Sequence, residues 1–136
     1  MNISTENQNN WAENIPEGCP PDNAFPPQND TFYRLVDAVP PEERDFWSHR
    51  KLFPTRIFNA SECLACSCSI ISDLQSCIRI AKLPTQKNKR IVKLALPPES
   101  GLIKQTGGHL SHYSWWRVLG FNPIPLCAEI EITSEN

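Results

Sequence analysis

An α+β domain, mostly an antiparallel twisted sheet with two short helices, is the fold class this sequence predicts, and three observations predict it. Short apolar segments with an alternating pattern outnumber helical ones, giving the order β-α-β-α-β-β-β-β between residues 31 and 133. Thirteen prolines against five glycines in 136 residues favour extended, punctuated pieces over long helices. The last four segments are all strands, so the later part of the sheet is expected to be antiparallel. At this length a single domain is expected, residues 30–133, behind a flexible acidic Pro/Asn-rich tail, residues 1–29.

In the tail, Met1 to Asn14 is polar enough to be expected disordered. Ile15 to Pro27 reads as extended and able to lie across the body with Phe25 docked. Thr31–Val36 has strand composition, with Phe32, Arg34 and Val36 on one face and Tyr33 and Leu35 on the other. Pro40-Pro41 opens a short helix that carries Glu42, Glu43 and Asp45 at its start and His49, Arg50 and Lys51 at its end, as the helix dipole favours. Pro54 stops it. Ser67–Ile71 is a short strand feeding a second helix, for which Ser72 and Gln75 form a capping box. Leu74, Cys77, Ile78 and Ala81 are its apolar face, and Pro84 ends it. Strands follow at Ile91–Leu96, Leu102–Thr106 and residues 111–117. From Leu126 to Thr133 alternation gives a half-buried terminal strand with Glu129 and Glu131 on its polar face.

Charge is small overall, −2, but uneven. Residues 1–30 hold five acids and no Lys or Arg, whereas all 13 basic residues lie between Arg34 and Arg117. There is no apolar run of 18 residues and no signal-peptide pattern at the N-terminus, so neither a membrane span nor export is expected and the cytoplasm is the expected compartment. Six cysteines in a reducing compartment read as thiols or metal ligands before disulfides. Cys63, Cys66 and Cys68 give C-x2-C-x-C, but the local pattern lacks a fourth ligand, and Cys77 lies on an apolar helix face. Plain thiols and no metal are expected.

The stretch Gly107 to Trp116 concentrates two histidines, two tryptophans, a tyrosine and two serines. As a strand it presents His112, Ser114 and Trp116 on one face, and Ser111, Tyr113, Trp115 and Arg117 on the other. One face could line a pocket; an aromatic core strand with hydrogen-bonded polar tips fits equally. Arg34, flanked by apolar residues on its face, is either semi-buried and paired, an edge residue whose head reaches solvent, or a pocket residue. A basic turn at residues 86–90, with Lys82, Lys93, Lys104 and Arg117, could meet phosphates, but no nucleic-acid motif is present and nucleic acid is not expected as a partner.

Phe32-Tyr33-Arg34 and Ser67-Cys68-Ser69, in this element order over residues 31–132, resemble the small mono-ADP-ribosyltransferase-like folds, including RES-type toxins. The resemblance implies an NAD-binding cleft in which Arg34 pairs with a cofactor phosphate and a serine holds the nicotinamide ribose. Where that fold carries its catalytic glutamate, this chain has Ser111-His112. A second pattern spans residues 19–130: Cys19-Pro20-Pro21, Phe32 to Val36, Asp45-Phe46-Trp47-Ser48, Glu62-Cys63, Ser69 and Ser111 to Trp116. It resembles a family of small cyanobacterial-type proteins of uncharacterised function, and so implies no activity. An Arg-Gly pair is usual there where this chain has Cys66-Ser67.

These readings converge on a pocket with Arg34, Ser69 and His112 as its catalytic set and Tyr33, Ser111, Ser114 and Trp116 as ligand contacts. The function expected is nucleotide or NAD handling by a toxin-type effector, with an anion at Arg34, a ring stacked on Trp116 and His112 as acid/base. The alternative is a non-catalytic module whose acidic tail or pocket is occupied by a partner protein, or a nucleic-acid-binding accessory protein using the basic turn at residues 86–90.

Overall fold

The computed structural model of the chain describes residues 10–132. Six strands, β1 (Asp30–Val36), β2 (Cys68–Ile71), β3 (Arg90–Leu96), β4 (Gly101–Gln105), β5 (His112–Arg117) and β6 (Ala128–Ile130), form one sheet in the order β4-β5-β2-β1-β3-β6. Every neighbouring pair is antiparallel. Three short α-helices accompany them: α1 (His49–Leu52), α2 (Glu62–Ala65) and α3 (Leu74–Ala81). The molecule is thus a single α+β domain.

Alternation along the strands divides the sheet into two apolar faces. Phe32, Cys68, Ile70, Leu94, Leu96, Ile103 and Trp115 pack on one face, closed by Phe46 and, less fully buried, by Phe121, Ile124 and Cys127. The other face, holding Ile71 and Ile91, receives Cys77 and Ile78 from α3. Trp115 is completely buried, and its ring meets Phe46 and Phe121 edge-on.

Local structure departs from the sequence expectation at four places. The predicted helix after Pro40 is broken into a 3-10 turn (Glu43–Phe46) and the single turn α1. The break occurs because two caps compete: Asp45 accepts from the Asp37 and Glu42 N–H groups, and Ser48 starts α1 by accepting from the Lys51 N–H. Helix α2, capped by Ser61, was not anticipated. The cap of α3 is Asp73, which accepts from the Ser76 N–H and hydroxyl, rather than Ser72. The Ser72 N–H is already donated to the Ser111 carbonyl, prolonging the β2–β5 ladder by one residue and pushing the helix start along. Finally, a 3-10 turn at Ile124–Leu126 shortens β6, so that Cys127 packs on the core while Leu126 is exposed.

The N-terminal segment docks over its described length. Trp11 bridges to Val118, the Ala12 N–H donates to the Arg117 carbonyl, and Phe25 exchanges both main-chain hydrogen bonds with Ile103 on β4. Pairing with Phe25 covers part of the otherwise open edge strand. The Phe25 ring itself is 47% exposed, so main chain and not side chain holds it. The Glu13 carboxylate accepts from both the N–H and the hydroxyl of Ser48. The expected disorder of Met1 to Asn14 therefore does not extend to residues 10–14, and the rest of that expectation lies outside the described residues. A disulfide joins Cys19 to Cys63, across 44 residues. This corrects the expectation of free thiols at both positions: the pairing depends on where the arm docks, which local spacing does not encode. Among the described residues no helix is long and apolar enough to cross a membrane.

Candidate functional site

The site begins at an irregularity in the sheet. β1 and β3 are in register over seven positions, whereas β1 and β2 pair only at Tyr33↔Ile71 among the described residues. Beside that gap lies the Arg34 guanidinium, which donates from Nη1 to the Ser69 carbonyl at 2.6 Å and from Nε to the Asp45 carbonyl at 2.7 Å. Its carbon also stands 6.0 Å from the centre of the Phe46 ring. Arg34 is semi-buried and paired, but its partners are not carboxylates: no salt bridge joins it to Asp45, Glu129 or Glu131 among the described residues. The Asp45 carboxylate caps main-chain N–H groups, and Glu129 pairs with Arg90. The guanidinium is held by carbonyl dipoles, with no carboxylate ion-paired to it among the described residues.

On the neighbouring strands, register decides the second part of the site. Ile71 lies opposite His112 and Ser69 opposite Ser114, so these four side chains share one face. His112 Nε2 stands 3.1 Å from Ser69 Oγ. Its Nδ1 stands 3.2 Å from the Thr106 carbonyl oxygen, with Thr106 Oγ1 also at 3.2 Å. Thr106 Oγ1 in turn meets Ser114 Oγ at 2.7 Å. The Thr106 carbonyl accepts from Nδ1 in the tautomer that carries its proton there, and that tautomer leaves Nε2 as acceptor for the Ser69 hydroxyl. Burial holds the His112 imidazole below its usual pKa, aided by His109 and opposed by the bond to the Thr106 carbonyl, which favours the cation.

Arg34 and Ser69 line a cleft of about 230 Å³ between β1, β2, α1 and α3. Leu35, Leu52, Ile71 and Ile80 make it apolar, His49, Gln86 and Lys89 add polar groups, and none of the residues lining it is acidic. The His49 ring stacks on Phe58. Its pKa is lowered by burial first, then by the positive charges of Arg34 and Arg56, with His112 adding to them. Lys89 reaches Asp37 at 2.7 Å.

Of the residues singled out from sequence, Arg34, Ser69 and His112 are joined in one chain of contacts through Ser69, and Ser114 is tied to them through Thr106. The others lie apart from it. Tyr33 packs against the apolar cluster under α3. Ser111 bonds the His109 ring, at 3.0 Å. Trp116 shares the strand face of His112, as alternation predicts, but is only 1% exposed and donates its indole N–H to the Cys63 carbonyl. Its ring is a core element with no face open for stacking a ligand. Thr106, His49 and Lys89 were not anticipated at the site. His49 follows a helix N-cap serine and Thr106 ends a strand before two glycines, positions that read as structural from sequence.

The unpaired thiols are poor nucleophiles. Desolvation pushes Cys66 up to about 12 and both Cys77 and Cys127 up to about 11, and it raises fully buried Cys68 as well. Cys63, the first sulfur of the C-x2-C-x-C pattern, is committed to the disulfide.

Two histidines with lowered pKa make stability pH-dependent in a defined direction. Below the unfolded value of about 6.5 the unfolded chain takes up protons that the folded chain does not, so ∂ΔG/∂pH is positive there. The stability present above that pH is lost as pH falls through the folded values of His49 and His112. Urea midpoints are expected to be lower at about pH 5.5 than at about pH 7.5, with a smaller difference in His49→Asn. A midpoint that is flat or rises towards acid would contradict this.

Fold and site together define a small single-domain α+β protein with a cation-lined cleft over a Ser–His pair. No protein-family model matches the chain, and neither curated proteins nor solved structures give a match.

Proposed function

We propose that the chain binds a small anionic, nucleotide-like ligand in the cleft at Arg34, with NAD among the candidates, in the manner of an ADP-ribosyltransferase-like, toxin-type effector. One observation carries the reading: a half-buried guanidinium at the cleft, held by two carbonyl oxygens with no carboxylate ion-paired to it among the described residues. Carbonyls engage Nε and Nη1 and leave the net charge uncompensated, so an anion arriving in the cleft gains a charge-assisted partner. The apolar floor suits a ring, with the Ser69 hydroxyl and the His49 ring as orienting groups. At about 230 Å³ the cleft is smaller than the roughly 300–1,000 Å³ of pockets for drug-sized ligands, so it would enclose one nucleoside-sized half and leave the rest of a dinucleotide outside. The expected compartment is cytoplasmic, where Cys19–Cys63 would be open to reduction and the arm would be held by its hydrogen bonds.

Calorimetric titration with NAD, ATP and ADP-ribose tests the reading. Saturable binding of at least one of them is expected, at least tenfold weaker in Arg34→Lys, which keeps the charge but loses the fork, and weaker in Lys89→Ala on the cleft rim. Flat titrations with all three ligands would end it.

A further inference from the structure

We propose that Ser69 is a nucleophile activated by His112, and that the cleft cleaves an acyl ester of an anionic compound. The inference rests on the reading that the cleft admits an anionic ligand, and narrows that ligand to one carrying an ester bond.

Three features distinguish this pair from an ordinary buried hydrogen bond. The base has an orienting acceptor: with Nδ1–H donated to the Thr106 carbonyl, 3.2 Å away, Nε2 is unprotonated and faces Ser69 Oγ at 3.1 Å. This is the nucleophile, base and orienting acceptor that serine-type catalysis requires, with a main-chain carbonyl in the orienting place. Both side chains stand on adjacent strands in the middle of the sheet, diagonal across the Ile71↔His112 pairing, so their separation is held by the ladder rather than by a loop. Ser69 also lines the cleft, and it does so beside Arg34, whose guanidinium, though donating from Nε and Nη1 to carbonyls, brings positive charge to the cleft where negative charge would develop on a substrate oxygen. The apolar residues Leu35, Ile71 and Ile80 would carry the acyl chain.

The reaction proceeds in two halves. Ser69 Oγ attacks the ester carbonyl carbon while its proton passes to His112 Nε2. The tetrahedral species collapses by breaking the ester C–O bond, and the leaving alkoxide takes the proton from Nε2, giving a free alcohol and acyl-Ser69. A water molecule then adds to the acyl carbon, giving one proton to Nε2, and the bond to Oγ breaks as Oγ takes that proton back. One ester and one water become one acid and one alcohol.

The experiment uses an alkyl fluorophosphonate, which captures an activated serine at phosphorus with loss of fluoride and needs no knowledge of the natural substrate. The full chain is expected to gain the mass of one phosphonyl group, the probe less HF, mapped by peptide mass spectrometry to the segment containing Ser69. Ser69→Ala should gain none. His112→Gln should be labelled at least about 100-fold more slowly, the scale of general-base assistance. Mapping the wild-type label decides the matter even if His112→Gln does not fold, since no label, or a label on another serine, would overturn the proposal. The two readings fail separately. Nucleotide binding with an unlabelled Ser69 would leave the cleft and remove the nucleophile, whereas a labelled Ser69 with flat nucleotide titrations would remove the nucleotide ligand and keep the esterase chemistry.

Discussion

Replacing Cys63 with serine is expected to lower the free energy of unfolding by about 4 kcal/mol, the chain-entropy value for a loop closed over 44 residues. The same bond positions the arm. Cys19 follows the segment whose Glu13 accepts two hydrogen bonds from Ser48, and Ser48 is the N-cap of α1, whose first residue is His49 in the cleft. The Cys63 carbonyl also receives the indole N–H of buried Trp116. Loss of the bond therefore frees a loop in the unfolded chain and loosens the arm that fixes α1 in the folded one. Urea denaturation of Cys63→Ser, Cys19→Ser and the double variant checks this, with all three expected to lie together well below wild type. Thiol titration of the denatured, unreduced protein should find four groups rather than six, matching four free cysteines. Six thiols, or a stability change under about 1 kcal/mol, would show that the bond does not hold the arm.

Gly101→Ala is expected to be as damaging or worse. Gly101 opens β4 at φ +144, opposite Arg117, and a Cβ there would stand 2.1 Å from the Trp116 carbonyl oxygen and 3.1 Å from the Trp115 indole nitrogen. Neither neighbour is free to give way. The carbonyl belongs to β5, and the indole, fully buried, donates to the Ser100 carbonyl at 3.3 Å. The variant must force β4 from β5 or unseat Trp115, and emptying a site of that kind costs about 3–5 kcal/mol. Backbone strain at this φ adds to the loss. A melting temperature far below wild type, or no soluble protein, is the expected result. Gly108→Ala is the control, since a Cβ at that position meets no atom within 4 Å. A Gly101→Ala protein melting like wild type would show that the two strands can part there without cost.

Whatever repeats along the chain was legible from residue order alone. The two-residue period put Tyr113 and Trp115 on one side of β5 and His112 and Ser114 on the other, and the structure keeps that division. The helical period put Cys77 and Ile78 of α3 in the core. Burial of one face is enough to fix such patterns, because a wrong assignment would turn every apolar side chain to water at once. Competition between neighbours was harder to read: Ser72 and Asp73 can each cap a helix, and a hydrogen bond from Ser72 to the distant Ser111 decided for Asp73. The site itself belongs to tertiary structure. Ser69 and His112 are 43 residues apart, and only the register of β2 on β5 sets them on the same diagonal. Arg34 was legible as a cation needing acceptors, but its acceptors are main-chain carbonyls, which every residue carries and no side-chain pattern announces. The disulfide likewise waits on the docking of the arm, for a sulfur–sulfur bond requires two Cβ atoms brought within about 4 Å, and a sequence separation of 44 places no such constraint on its own.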